Sequence, residues 1–448
     1  MSRLRKIIMH GQGVFFAVCA ALFCIGCVQL EAANDAESGG TVVSVEIRAS
    51  DAPTGWASVG AKSNFGGYGG SAVTVSDRAA LIAAAKSGGK VIYVDGMIDM
   101  SGGMLPSVYD DSTAGLDALI AEKTDGLYST YASWRTAYAA SCKDSADGSS
   151  DSALAGYQAA LSKAWKAQIQ LSVASNTTLI GLTSDSGIAG GTISISGVSN
   201  IAVRNMTIRD AYDPFPDMEK NDGFNAEYDG ICIQGTSSNI WIDRCTFADS
   251  FSNFNKVKTG SGTPGVKWQT YDGLCDIKGN SRNITVSYCK FMNHDKTMLI
   301  GSSDSESLSV TRTVTLHHNY YYNCVQRLPM VRMTNIHIFN NYYDADSASY
   351  ANSYAIGVRK NAAVYAEKNC FGCNIKYSYS GATGTSAKGS LFAAGDSDNS
   401  ANKGRTDQFA TLAAAPFSVP YRYEAADADT LPAFIKANAG AGILPVVR

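Results

Sequence analysis

Six segments of the chain share the form aliphatic-x-aliphatic-x-x-(Asn or Cys)-x-aromatic, beginning at Ile201, Ile240, Ile284, Val314, Ile336 and Val364. Their sixth positions read Met206, Cys245, Cys289, Asn319, Asn341 and Asn369, and their eighth Ile208, Phe247, Phe291, Tyr321, Tyr343 and Phe371. The steps between them are 39, 44, 30, 22 and 28 residues. A unit of this length cannot bury its apolar face alone, so it must stack on its neighbours. If each unit is one coil of a solenoid, adjacent coils pair as parallel strands about 4.8 Å apart and equivalent positions form columns. An Asn column then bonds the backbone of the next turn, and the aromatic column stacks inside. The expected fold class is all-β, a right-handed parallel β-helix (solenoid), its hand taken from the general preference of parallel crossovers. A β-sandwich or barrel is the competing account. It requires antiparallel strands with tight Asn-Gly or Asp-Gly hairpins, and an aromatic register held over six segments argues against it.

The rest of the chain fits around that solenoid. Ser76 reads as the N-cap of a short helix over 77–86 that stops at Gly88-Gly89, followed by a strand at 91–94. Between about 105 and 167 the composition shifts to Ala, Leu, Tyr and Lys, with Leu154, Tyr157, Leu161 and Trp165 at helical spacing, which predicts a helical insertion. Strand character returns at 169–173. The glycine-rich run 64–70 lacks the preceding strand and the following Lys-Ser/Thr of a phosphate-cradling loop.

The amino terminus carries Arg3, Arg5 and Lys6 before an apolar run at 14–26, the charge order of a secretory signal and too short to span a bilayer comfortably. Two processing outcomes compete: cleavage near Ala32 or Ala33, or lipid attachment at Cys27 in Cys24-Ile-Gly-Cys27. The expected organisation is a signal at 1–27, a polar linker at 28–49 and one domain over 50–448. The protein is expected to be secreted, or displayed as an outer-surface lipoprotein, and to be a monomer that meets membrane only through a lipid on Cys27. With 37 basic and 40 acidic residues, net −3, the chain has no basic footprint for nucleic acid. Cys370 and Cys373 form a lone CxxC, which makes a thiolate metal module improbable.

Chemistry is concentrated between 271 and 332, a dense stretch in a chain with only 17% charged residues. Asp272 and Asp276 recur in a frame, Tyr271-Asp-Gly-Leu-Cys275, nearly identical to Tyr228-Asp-Gly-Ile-Cys232, and Glu227 lies two residues before Asp229. If the frames stack, three or four carboxylates converge and raise one another's pKa. Ca²⁺, which takes six to eight oxygens, resolves that conflict better than Zn²⁺. A solvated acidic face is the other reading. Lys296, Arg327 and Arg332 follow on the next coils. They are either surface ion-pairing residues or a clamp for an acidic polymer, since a guanidinium matches a carboxylate in a bidentate fork.

The stretches Trp241-Ile-Asp-Arg-Cys-Thr-Phe247, Asp272-Gly-Leu-Cys-Asp276-Ile-Lys278, His294-Asp-Lys296-Thr-Met-Leu-Ile-Gly-Ser-Ser-Asp304, His317-His-Asn319 and Gln326-Arg-Leu-Pro-Met-Val-Arg332 resemble pectate lyases of polysaccharide lyase family 1. The likeness runs from about Gly66 to Gly442. It implies a right-handed parallel β-helix and Ca²⁺-dependent β-elimination on de-esterified polygalacturonate, an acidic polysaccharide. It makes Asp229, Asp272 and Asp276 the calcium ligands with Glu227 as a fourth, Arg327 the base that takes the C5 proton, and Lys296 and Arg332 the holders of substrate carboxylates. Two positions depart from the family pattern, Arg244 where His is common and Gly301-Ser-Ser-Asp304 where Gly-His-Ser-Asp is common; both are expected beside the site. His294, His317 and His318 are expected to be structural. Cys232 with Cys275, and Cys245 with Cys289, fall at matching frame positions, within disulfide reach if the coils stack. The alternatives are a metal-independent pectin lyase acting on methyl-esterified pectin, a hydrolytic polygalacturonase, and a non-catalytic β-helical polysaccharide binder.

Overall fold

The computed structural model describes residues 46–104, 114–142, 151–220, 222–250, 268–346, 350–381, 387–402, 404 and 408–448. The expected leader with Cys27 and Ala33, and most of the linker, lie outside these residues. The end of the linker is built into the fold: Ile47–Arg48 pairs in parallel with Val446–Val447, and Ile47 is fully buried.

The coils of the solenoid build three parallel sheets. The first has eleven strands from Ser71–Val75 to Ala410–Thr411, the second nine from Met97–Asp99 to Ser397–Asp398, and the third eight from Gln170–Ser172 to Tyr379–Ser380. The sequence columns are columns in space. Ile201, Ile240, Ile284, Val314, Ile336 and Val364 pair in that order in the first sheet. Ile208, Phe247, Phe291, Tyr321, Tyr343 and Phe371 do so in the second. From Phe247 onward the rings stack at 4.8, 5.0, 4.9 and 4.7 Å between centroids. All these side chains face one continuous apolar core, each contributing roughly 1.5–3 kcal/mol by burial.

Between the first and second sheets the chain turns through one residue in the left-handed region, with φ of 53° at Asn205, 51° at Arg244, 50° at Tyr288, 57° at His318, 52° at Asn340 and 48° at Lys368. Only Asn adopts this conformation readily among these residue types. The next residue offsets the strain where it is Asn. The N–H groups of Cys289, Asn319 and Asn341 donate to Oδ1 of Asn319, Asn341 and Asn369 at 2.9, 3.0 and 3.0 Å. The three amides donate back to the carbonyls of Val286, Leu316 and Ile338.

Helix α1 (Arg78–Ser87) closes the first coil, with Leu81, Ala84 and Ala85 joining the solenoid core. Its N-cap is Asp77, accepting from Ala80 N at 2.9 Å, one residue later than the expected Ser76. Both residue types can cap, so local sequence does not separate them. The glycine-rich run packs on the first sheet: a Cβ on Gly67 would lie 1.9 Å from the Lys90 carbonyl oxygen. The helical insertion comprises α2 (Ala114–Lys123), α3 (Tyr131–Ser141) and α4 (Ser152–Ile169). Its aromatics form a second core with Tyr212, Phe215, Phe224, Tyr228 and Trp268. Trp165 Nε1 donates to the Tyr212 carbonyl and Gln158 Nε2 to that of Phe215, each at 2.8 Å, and Ser162 Oγ lies 2.8 Å from Tyr228 Oη. The insertion thus grips the segment that leads into Asp229. Near the carboxyl end, α5 (Leu431–Asn438) packs on Tyr320 and Tyr342, and Arg244 donates to the Asn438 carbonyl at 2.9 Å while covering the Tyr288 ring.

Candidate active site

The two frames Tyr-Asp-Gly-x-Cys do not stack residue on residue. Ile231 pairs with Cys275 and Cys232 with Asp276, an offset of one. A shift of one residue exchanges the two faces of a strand. Cys275 therefore lies in the core while Cys232 stands on the outer face beside Asp276, which corrects the expected stacking of Cys232 on Cys275. Cys245 and Cys289 do stack, with Cys245 N 3.4 Å from Cys289 Sγ. All eight described cysteines are free thiols. The Sγ–H groups of Cys245 and Cys289 donate to the Val203 and Ser287 carbonyls, at 3.4 and 3.3 Å.

The offset brings Asp229, Asp272 and Asp276 together, with one carboxylate oxygen of each within 4.8 Å of the others. Gly273 N–H donates to Asp229 Oδ1 at 3.0 Å, and Leu299 N–H to Asp276 Oδ1 at 2.9 Å. A Cβ at Gly273 would sit 2.4 Å from Asp276 Oδ1 and 2.7 Å from Asp229 Oδ1, so any larger residue there would push these carboxylates aside. Burial and the neighbouring Asp276 push Asp229 up to about 8 against the opposing pull of Lys278. Asp272 is held below the ordinary carboxylate range: burial would raise it, but Lys296 and Lys278 outweigh burial. Glu227 is exposed and stands outside this group of ligand atoms. Its N–H donates at 3.0 Å to Oδ2 of Asp213, a fully buried carboxyl raised to about 7 by burial. The three-aspartate donor set is all oxygen, which fits a hard cation such as Ca²⁺.

Cations surround the acids. Lys296 Nζ lies 2.5 Å from Asp272 Oδ1 and 2.9 Å from Asn225 Oδ1. Two residues earlier on the same strand (Lys290–Lys296), His294 is sandwiched between Asp249 Oδ2, 2.5 Å from Nδ1, and the Asp272 carbonyl, 2.7 Å from Nε2. A carbonyl can only accept, so Nε2 carries a proton. Burial disfavours charge on His294, but Asp249 outweighs it and raises the imidazole above its ordinary range. His294 and Lys296 thus hold Asp272 by its carbonyl and its carboxylate. His294 is structural as expected, but structural to the site itself. His317 and His318 contact each other through Nδ1 at 2.9 Å, and burial lowers both, His317 to about 3.

Lys278 was not singled out by sequence, yet its Nζ lies 2.9 Å from Asp229 Oδ2 and 3.2 Å from Asp276 Oδ2. The readable signal was its spacing, two residues from Asp276 and so on the same strand face. Arg327 follows the strand Tyr320–Gln326 with φ 61°, at the corner between second and third sheets. Its Nε is buried without a hydrogen-bond partner, and its charge is felt at Asp272. Arg332 stands after the strand Met330–Val331, with Nε 2.6 Å from Asp304 Oδ1 and Nη1 donating to the Gly301 carbonyl at 3.1 Å. Asp304, in the departing Gly301-Ser-Ser-Asp304 stretch, therefore aims one of the cations.

The sequence profile of the pectate lyase family matches residues 144–444. A pectate lyase of Bacillus subtilis is 34% identical over 315 residues, covering 66% of this chain and 69% of the relative. Pectate lyase D of Dickeya chrysanthemi is 34% identical over 289 residues, covering 62% and 73%. The structure of a pectate lyase from Acidovorax avenae subsp citrulli superposes with a TM-score of 0.74 at 25% identity, covering 94% of this chain and all of that one. A pectate lyase bound to hexasaccharide superposes with a TM-score of 0.67 at 26% identity, covering 87% and 97%. With the profile spanning the acidic triad and its cations, and the fold shared almost end to end, the chain belongs to the pectate lyase family and is a right-handed parallel β-helix.

Proposed function

We propose that this enzyme is a calcium-dependent pectate lyase that cleaves de-esterified polygalacturonate by β-elimination. The observation that carries the reading is the convergence of Asp229, Asp272 and Asp276 within 4.8 Å, beside Lys296 and an Arg327 whose Nε has no partner. Asp229, Asp272 and Asp276 would hold the ion, and calcium bound there would draw charge from the substrate carboxylate as the sugar ionises. Arg327 takes the C5 proton. The electron pair left behind forms the C4–C5 double bond, the C4–O bond breaks, and the departing oxygen takes a proton from water. Lys296 and Arg332 hold uronate carboxylates and stabilise the charge that grows on them. Glu227 is placed to join the ligand set only if its exposed side chain turns inward.

A pectin lyase acting on a neutral, methyl-esterified polymer has no use for three clustered aspartates, so the triad favours pectate. A single domain over 50–448 joined by the end of the linker at Ile47–Arg48, export by the amino-terminal leader with either cleavage near Ala32 or Ala33 or a lipid on Cys27, and a monomeric state complete the proposal. Incubation with polygalacturonate, with calcium and with chelator, tests it. Ultraviolet absorbance of an unsaturated product that appears only with calcium is the expected outcome; reducing ends without that absorbance would mean hydrolysis and defeat it.

A further inference from the structure

The outer face of the third sheet carries more than the acidic triad. Leu299 donates its N–H to Asp276 and pairs with Met330, Met330 pairs with Gly357, and Gly357 with Ser380. The residues between them, Ile277, Ile300, Val331 and Val358, point into the core. Asp276 and Ser380 thus stand on one outward column, four coils apart, which is about 19 Å at about 4.8 Å per coil. At the Ser380 end lies a cavity of about 230 Å³ lined by Tyr354, Arg359, Lys376, Tyr377, Ser380 and Gln408.

The chemistry of this cavity is specific. Arg359 follows Val358, whose partner Val331 precedes Arg332, so the two arginines occupy equivalent positions on adjacent coils. Arg359 Nη1 donates to the Gly381 carbonyl and its guanidinium lies 5.3 Å from the Tyr354 ring centroid, but its Nε is buried with no partner. Lys376 is exposed, with Nζ 5.8 Å from the Tyr377 ring centroid. Among the described residues no carboxylate lines the cavity. A buried donor without an acceptor is unfavourable, and an anion seated beside the guanidinium would offset it. With no countercharge among the described lining residues the two cations select an anion, the Tyr377 ring suits the C–H face of a sugar, and Ser380 and Gln408 offer polar groups for its hydroxyls.

We propose that this pocket binds a uronate residue of the same polymer, several sugars away from the point of cleavage. The inference rests on polygalacturonate being the substrate. The test compares kcat/KM on polygalacturonate and on trigalacturonate, too short to reach from the triad, for Lys376→Ala and for Arg359→Gln combined with Lys376→Ala. The polymer-to-trimer ratio should fall at least fivefold in the double variant, through KM, and in the same direction in the exposed single variant. An unchanged ratio, or equal losses on both substrates, overturns the pocket. Failure of the unsubstituted protein to release unsaturated product would sink the parent reading instead. Calorimetry with hexagalacturonate then decides the pocket: at least threefold weaker binding by Lys376→Ala upholds it, and equal binding overturns it.

Discussion

Asp272 illustrates how single residues are aimed in this site. His294 and Lys296 rise from one strand face and fix its carbonyl and its carboxylate. Such supporting contacts commonly shift metal affinity about 10–100-fold. His294→Ala is therefore expected to weaken calcium binding on that order in calorimetry, while leaving the solenoid's circular dichroism intact. Arg327→Ala should lower the rate of unsaturated-product release by about 10²–10⁴-fold, the usual worth of a positioned base. Because arginine loses its proton only at high pH, the unsubstituted enzyme should gain activity toward alkaline pH, and a maximum in mild acid would contradict Arg327 as base. Asp229 adds a linkage. Burial and Asp276 raise it from 3.8 to about 8 in the metal-free fold. That raised value favours folding at low pH, and the contribution fades as pH climbs through about 8. Calcium needs the ionised form, so binding at neutral pH should release a proton and tighten as pH rises. Calorimetry in buffers of different ionisation enthalpy reads this directly. Asp229, Asp272, Asp276 and Lys296 were legible because they sit in motifs. Asp213 and Asp249 were not, because Glu227 and His294, which they hold, are distant in sequence, and Lys278 was passed over although its spacing from Asp276 was readable.

At the scale of elements, the Asn column is both the clearest sequence signal and a stabilising device. Asn341 accepts from Asn319 N and Asn319 Nδ2, and donates to the carbonyls of Leu316 and Phe339 and to Asn369 Oδ1. Asn341→Ala strands a buried N–H on Asn319 and should cost about 2–3 kcal/mol or more, measured as a fall in urea midpoint. The helical insertion was legible as a composition shift, yet its purpose was not. Only the contacts of Gln158, Ser162 and Trp165 reveal that it clamps residues 212–228 ahead of Asp229. The expected cap at Ser76 moved to Asp77 because neighbouring capping residues are locally equivalent.

For the whole molecule, the acidic triad ties stability to metal. Ionised Asp229, buried beside Asp276, opposes folding unless neutralised, so calcium should raise the melting temperature, by an amount corresponding to about 2.7 kcal/mol at a hundredfold excess over Kd. Asp276→Asn should shrink that shift as well as activity; a shift unaltered by the substitution would place the ion elsewhere. Six successive coils, the core columns and the chemistry-bearing stretches were determined by sequence alone, because stacking like on like is written in spacing and residue type; the coils before Ile201 and after Phe371 lack the repeat and appear only in the structure. Which face Cys232 and Asp276 share, and hence how the aspartates converge, was decided only by tertiary structure. The physical reason is that pairing of Ile231 with Cys275 is a relation between coils 44 residues apart, and a slip of one residue leaves the local pattern unchanged while turning every side chain over.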